Sequence, residues 1–161
     1  HGNAEVYGNA EVYGDAEVYG DAEVHGDARV YGNAWVYGNA RVYGNAWVYG
    51  NARVYGDAEV HGDAEVYGNA EVYGNAEVYG DAEVYGDADL FTFGPIGSEN
   101  RICTLFKCKT GANVSAGCFL GTIDEFEKKI KDTHGYNEIG KECLSIIPLL
   151  RFRAEFRFSK K

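Results

Sequence analysis

Six residues, Gly-[Asn/Asp]-Ala-x-Val-[Tyr/His], recur fifteen times without insertion from Gly2 to Phe91, the last copy varied to Gly-Asp-Ala-Asp-Leu-Phe. A period of six is too short for a helical repeat, whose units run to about 33–47 residues. Within each copy Ala-x-Val-Tyr alternates small or apolar with polar or aromatic residues, the two-residue rhythm of a strand. The Gly-Asn or Gly-Asp that follows is turn chemistry, because both residue types tolerate positive φ. Each copy therefore reads as a short strand plus a corner. Stacked copies would fill a narrow interior with Ala and Val and pair their backbone amides from coil to coil.

The pattern resembles the hexapeptide repeat of left-handed parallel β-helices, proteins often labelled putative acyltransferases. In them an aliphatic residue recurs every six positions with a small residue two before it. Val6, Val12 and Val18 take the aliphatic role here, and Ala4, Ala10 and Ala16 the small one. The resemblance implies three copies per triangular coil, hence a left-handed solenoid of five coils over residues 1–91, and a homo-oligomer, commonly a trimer. At about 4.8 Å per coil this is a rod about 24 Å long.

With eighteen residues per coil, the outward x positions form three columns. They read Glu5, Glu23, Arg41, Glu59, Glu77; then Glu11, Arg29, Trp47, Glu65, Glu83; then Glu17, Trp35, Arg53, Glu71, Asp89. Carboxylates stacked at about 5 Å would repel by on the order of 1 kcal/mol each even in water, and each column is broken near its middle. Arg29 would lie beneath Trp47 and Trp35 beneath Arg53, suited to cation–π contact, with Arg41 between two Glu. Arg alone would relieve the charge. The two Trp are surplus, and Trp, Tyr and Arg are the residues that anchor interfaces. Arg29, Trp35, Arg41, Trp47 and Arg53 are accordingly the candidate binding belt. At the corners Asn and Asp mostly alternate, and only Asp63 and Asp81 set two carboxylates in register. Tyr7, His25, Tyr43, His61 and Tyr79 form one aromatic column.

Charge divides the chain. Residues 1–100 hold eighteen acids against three Arg, net −15, and residues 101–161 hold seven acids against twelve Lys and Arg, net +5. The acidic rod would repel phosphate, which argues against nucleic-acid binding by the solenoid. It suits a protein partner of basic character, or mimicry of a nucleic acid's charge. No apolar run is long enough to cross a bilayer, and no secretory signal is visible. Four cysteines without an oxidising address read as reduced thiols in the cytoplasm of a bacterial host cell. The chain starts at His1 inside a repeat without an initiator Met, which reads as a fragment or processed product.

After Phe91 the repeat dissolves. "TFGPIGSEN" predicts a connection over 92–100, and residues 101–161 an α+β module. Two strands are expected around a Lys109-Thr110-Gly111 turn. A helix follows over "TIDEFEKKIKDTHG", with Thr122 and Glu125 as a capping box, Ile123, Phe126 and Ile130 as its apolar face, and Gly135 as its stop. A second helix over "NEIGKECLSII" should end at Pro148, and the alternating "LLRFRAEFRF" reads as a strand. Residues 96–150, notably "IGSEN" and "FKCKTGANVSAGCFLGTIDEFEKKIKDTHG", resemble a small module that recurs behind such repeats in phage and prophage proteins. Physically it is the cap that a solenoid's last coil requires.

Catalytic signals are sparse. An acyltransferase needs a His base at a cleft, yet His25 and His61 occupy ordinary repeat slots and no loop interrupts the coils. Cys118 and His134 are the best thiol–imidazole candidates, with Cys118 just before a helix N-terminus. A zinc site from Cys103, Cys108, Cys118, Cys143 and His134 lacks the paired knuckles that such sites show. The reading is a non-enzymatic binding or assembly protein with no cofactor or metal. Its alternatives are a phage inhibitor imitating nucleic acid on a host defence protein, a hexapeptide acyltransferase, and a rod that grows end to end.

Overall fold

The computed structural model describes residues 2–86 and 89–158. Fourteen two-residue strands, β1 (Glu5–Val6) through β14 (Glu83–Val84), arise one per hexad and assemble into three parallel sheets of five, five and four strands. The molecule is a mainly β, three-sided parallel solenoid with four complete coils and two sides of a fifth. The pairing register is eighteen residues throughout, as in Glu5↔Glu23 and Trp35↔Arg53.

The hexad dictates this shape locally. Ala and Val lie two residues apart and so share one side of the strand. From Ala22 to Ala82 and from Val24 to Val84 they are fully buried in one continuous core. From Gly2 to Gly62 every corner glycine has positive φ, for example +70° at Gly44, and stacks on the glycine one coil along. A Cβ at Gly44 would sit 3.0 Å from the Gly62 backbone nitrogen. The repeated glycine thus answers both to conformation and to the close approach of backbones.

The fifteenth hexad departs from the expected fifth coil. Its Asp87 and Ala88 lie outside the described residues, and Leu90 begins β15 (Leu90–Ile96) of a separate four-stranded antiparallel sheet. Asp89 is therefore not the top of the third column. It is buried, and its carboxylate accepts from the Tyr85 amide at 3.1 Å.

The sheet runs β15, β16 (Arg101–Cys108), β17 (Gly111–Ala116), β18 (Phe119–Thr122), each antiparallel to the next. The segment expected to be a connection is thus largely an edge strand. Gly94 and Pro95 fall where its register slips between Phe93 and Ile96. An edge or a bulge is where a strand tolerates a residue without an amide proton. The expected turn before Gly111 is present, and the stretch after it makes two strands rather than one.

Helix α1 (Ile123–His134) has the expected capping box of Thr122 and Glu125, buries Ile123, Phe126 and Ile130, and ends at Gly135 with φ +57°. Helix α2 (Glu138–Arg153) is capped by the Asn137 side chain, which accepts from the Gly140 amide at 2.8 Å. Two expectations fail here: α2 runs through Pro148 instead of stopping there, and the predicted terminal strand is helix followed by a π-helical turn over Ala154–Phe158. An internal proline costs about 3 kcal/mol. Against it stands one buried face of Cys143, Ile147 and Leu150 that extends to Phe158. Arg151 adds a bridge to α1, 2.7 Å from Asp124 and also paired with Glu127. The Pro148 ring itself lies on the exposed side.

The module caps the solenoid as expected. Leu105 and Phe106 are fully buried, and Phe106 joins the solenoid core. Thr104 Oγ1 accepts from the Glu77 amide at 3.2 Å, and Ser115 Oγ donates to the Glu77 carbonyl at 2.8 Å. These two hydroxyls, almost wholly buried, replace the coil that would otherwise lie above Glu77. The Tyr79 hydroxyl donates to the Phe119 carbonyl at 2.9 Å, and the Lys109 amide to the Asp81 carbonyl at 3.4 Å.

Because Gly44 is needed for its backbone alone, Gly44→Ala is expected to lower the unfolding free energy by about 1–2 kcal/mol, the left-handed penalty for a Cβ. Glu17→Gln, at an exposed site, should stay within about 0.5 kcal/mol. Urea unfolding followed by circular dichroism measures both.

Candidate interaction surface

The five belt residues wind around all three faces. On the second face Arg29 stands under Trp47, its guanidinium carbon 5.3 Å from the ring centroid, and pairs downward with Glu11 at 3.6 Å. On the third face the order inverts. Trp35 lies beneath Arg53, again at 5.3 Å, and Arg53 pairs upward with Glu71 at 3.4 Å. Arg41 on the first face has Glu23 below and Glu59 above, the latter at 3.5 Å. The structure therefore brings together two Arg–Trp pairs and sets Arg41 apart from both. These ion pairs are open to water and contribute at most about 1 kcal/mol each. Each Trp keeps 37% of its surface exposed.

Beside each column runs a stack of rings. His25 lies between Tyr7 at 4.7 Å and Tyr43 at 4.9 Å, and His61 between Tyr43 and Tyr79, both at 4.6 Å. Burial lowers the His61 pKa. Both imidazoles are thus inserted in aromatic stacks rather than set beside a cleft.

A feature missed in the sequence links the stacks to the columns. Tyr43, Tyr49 and Tyr55 donate their hydroxyls to Glu59, Glu65 and Glu71 at 3.1, 3.2 and 3.1 Å. The partner is always sixteen residues on, an offset legible once the coil length is known. Where Trp replaces Glu, the same neighbour makes an edge contact instead: Tyr19 with Trp35 and Tyr31 with Trp47, both at 6.4 Å and 72°. The tryptophans thus exchange a hydrogen-bonded anion for an exposed aromatic surface. The corners zip as well: Asn39 Nδ2 donates to Asp57 Oδ1, and Asn45 Nδ2 to Asp63 Oδ1, both at 2.9 Å.

In the module, Cys103, Cys118, Cys143 and His134 line one cleft of about 280 Å³ between the sheet and the helices, while Cys108 lies apart beside Thr110. No hydrogen bond joins Cys118 to His134. Burial pushes the Cys103 thiol up to about 11 and also raises Cys143, so both stay protonated at neutral pH. Among the described residues no group of three or more His, Cys, Asp or Glu could hold a metal ion. Among them, too, no helix is long and apolar enough to cross a membrane.

Residues 22–38, 34–50 and 48–62, the stretch holding the whole belt, match the family described as YdcK beta solenoid repeat. No curated protein and no solved structure shows significant similarity to the chain.

Burial, then the hydrogen bond to and charge of Glu71, raise the Tyr55 pKa to about 12; burial and Glu59 do the same for Tyr43. A phenol raised in the folded state contributes stability that is intact below the unfolded value of about 10. That contribution fades as pH climbs through about 12. Tyrosinate absorbance should therefore rise late while the native circular dichroism persists. Glu59→Gln, which keeps the hydrogen-bonding geometry without the charge, should bring the Tyr43 ionisation to lower pH.

Proposed function

We propose that this repeat β-solenoid protein is a non-enzymatic binding or assembly element: a stiff acidic rod whose middle coils present Arg–Trp pairs to a protein partner of basic character or to its own copies. The observation that carries the reading is the replacement of Glu by Trp at positions 35 and 47. Charge relief alone calls only for Arg, and each Trp gives up a slot in which Tyr otherwise bonds a carboxylate. Large aromatic rings beside guanidinium groups are the commonest high-energy contacts of protein interfaces. The surrounding carboxylates favour a basic partner and make encounter sensitive to salt.

Two neighbouring faces carry such pairs in opposite vertical order, so partners on the two would meet inverted surfaces. The aromatic stacks and buried stem hold the pairs on a rigid support, which limits the ordering cost of binding. A phage origin is in keeping with the likeness of the terminal module, and trimeric assembly with the likeness of the repeat to hexapeptide β-helices.

The double variant Trp35→Ala, Trp47→Ala tests the reading. Neither side chain enters the core, so its far-ultraviolet circular dichroism and urea midpoint should stay near wild type. Sedimentation should show self-association, or association with a captured partner, weakened at least tenfold. Unchanged association would remove the belt from the function.

A further inference from the structure

We infer that the cleft of the C-terminal module is a binding site for a small amphiphilic anion, of the class of medium-chain carboxylates. Its inner wall is apolar. Phe119 and Phe126, 5.4 Å apart, face it with Ile130 and the protonated thiols of Cys103 and Cys143. Those thiols offer sulfur to an alkyl chain and no charge to repel it. At a share of about 30 Å³ per liquid water, the 280 Å³ cleft holds on the order of nine waters. That suits a short alkyl chain and is small for a nucleotide.

The residues that line the mouth carry a net positive charge. Glu99 and Arg101 neutralise each other there. The Arg101 guanidinium lies against Gly117, where a Cβ would sit 3.0 Å from it, so glycine there leaves it room. Glu142, nearby, accepts from the Gly97 amide at 3.3 Å. The Lys129 side chain also lines the mouth and, among the described residues, has no ion-pair or hydrogen-bond partner. It is a cation over an apolar slot, and an anionic head group complements it. His134 stands on the same rim and adds a second donor. The basic balance of residues 101–161, set against the acidic rod, favours an anion at this end of the molecule.

Octanoate is the probe, titrated calorimetrically into the intact chain at neutral pH. Saturable binding of one molecule is expected, with octanol at least about tenfold weaker because it lacks the charge. Lys129→Ala, at an exposed position with nothing to unfold, should weaken octanoate about tenfold, the loss of one charge-assisted contact. Phe152→Ser controls for the other apolar surface: Phe152 is 59% exposed and stacked on Phe156 outside the cleft. That variant should bind as wild type.

Location is read through Cys118, the single exposed cysteine, which lines the same cleft. Saturating octanoate should slow its reaction with a thiol reagent severalfold. Failure to saturate at millimolar octanoate, affinity unmoved by Lys129→Ala, loss of binding in Phe152→Ser, or an unchanged Cys118 rate would each overturn the inference. None of these outcomes bears on the tryptophan belt, which lies on the solenoid.

Discussion

One hydrogen bond, from a backbone amide to the carbonyl seventeen residues further on, sets the terms for the rest of the molecule. It recurs from Glu5 to Tyr67 at 2.8–3.1 Å with no slip in register. Constant register means that every side chain stacks on the one at the same place in the repeat. For Val and Ala this is favourable without further adjustment, since identical shapes repeat along a closed prism. For Tyr it yields parallel rings about 5 Å apart, held by the backbone rather than by ring attraction alone. For Asp and Glu the same geometry is a liability.

The surface can be understood as the set of answers to that liability. Corner carboxylates are mostly interleaved with amides, so that an Asn nitrogen reaches the Asp oxygen one coil on. Face carboxylates draw on two donors, an Arg in the same column and a Tyr in the adjacent stack. Glu59 has both, at 3.5 Å from Arg41 and 3.1 Å from Tyr43. Where the solenoid meets its cap, Lys109 comes within 3.7 Å of Glu65 and extends the pattern across the junction. Each of these contacts is weak in water. Their order matters more than their sum, because a ladder that repeats a repulsion accumulates it.

How much of this could be read from the letters follows from the same register. In the solenoid, neighbours in space sit at one fixed separation in sequence, so the columns, the Arg–Trp pairs and the His–Tyr stack could be written down beforehand. The Tyr–Glu bonds were equally encoded and needed only the offset of sixteen. The module has no such rule. Leu90 pairs with Phe106 and Thr104 with Ser115 at separations that nothing local announces. Pro148 and Gly94–Pro95 carry strong local signals to stop, and in both places tertiary context outweighs them. The buried stripe of Cys143, Ile147 and Leu150 carries α2 onward, and edge position frees β15 from needing an amide donor at 95. The cleft lay still further out of reach, because residues from separate stretches between Ile96 and Cys143 line it.

That contrast also separates what each half can do. A ladder of constant spacing generates convex faces carrying columns of like groups. It can present a surface to a large partner, but it has no means of curving around a small one. Concavity requires the register to break. It breaks at β15, whose bulge lies between Phe93 and Ile96, and again where α1 packs against the sheet. The cleft walled by Phe119, Phe126 and the thiols of Cys103 and Cys143 forms between those two departures. The regular half is therefore equipped for extended contact and the irregular half for enclosure, and the hydroxyls of Thr104 and Ser115 join them by completing the hydrogen bonds of Glu77 in the last coil.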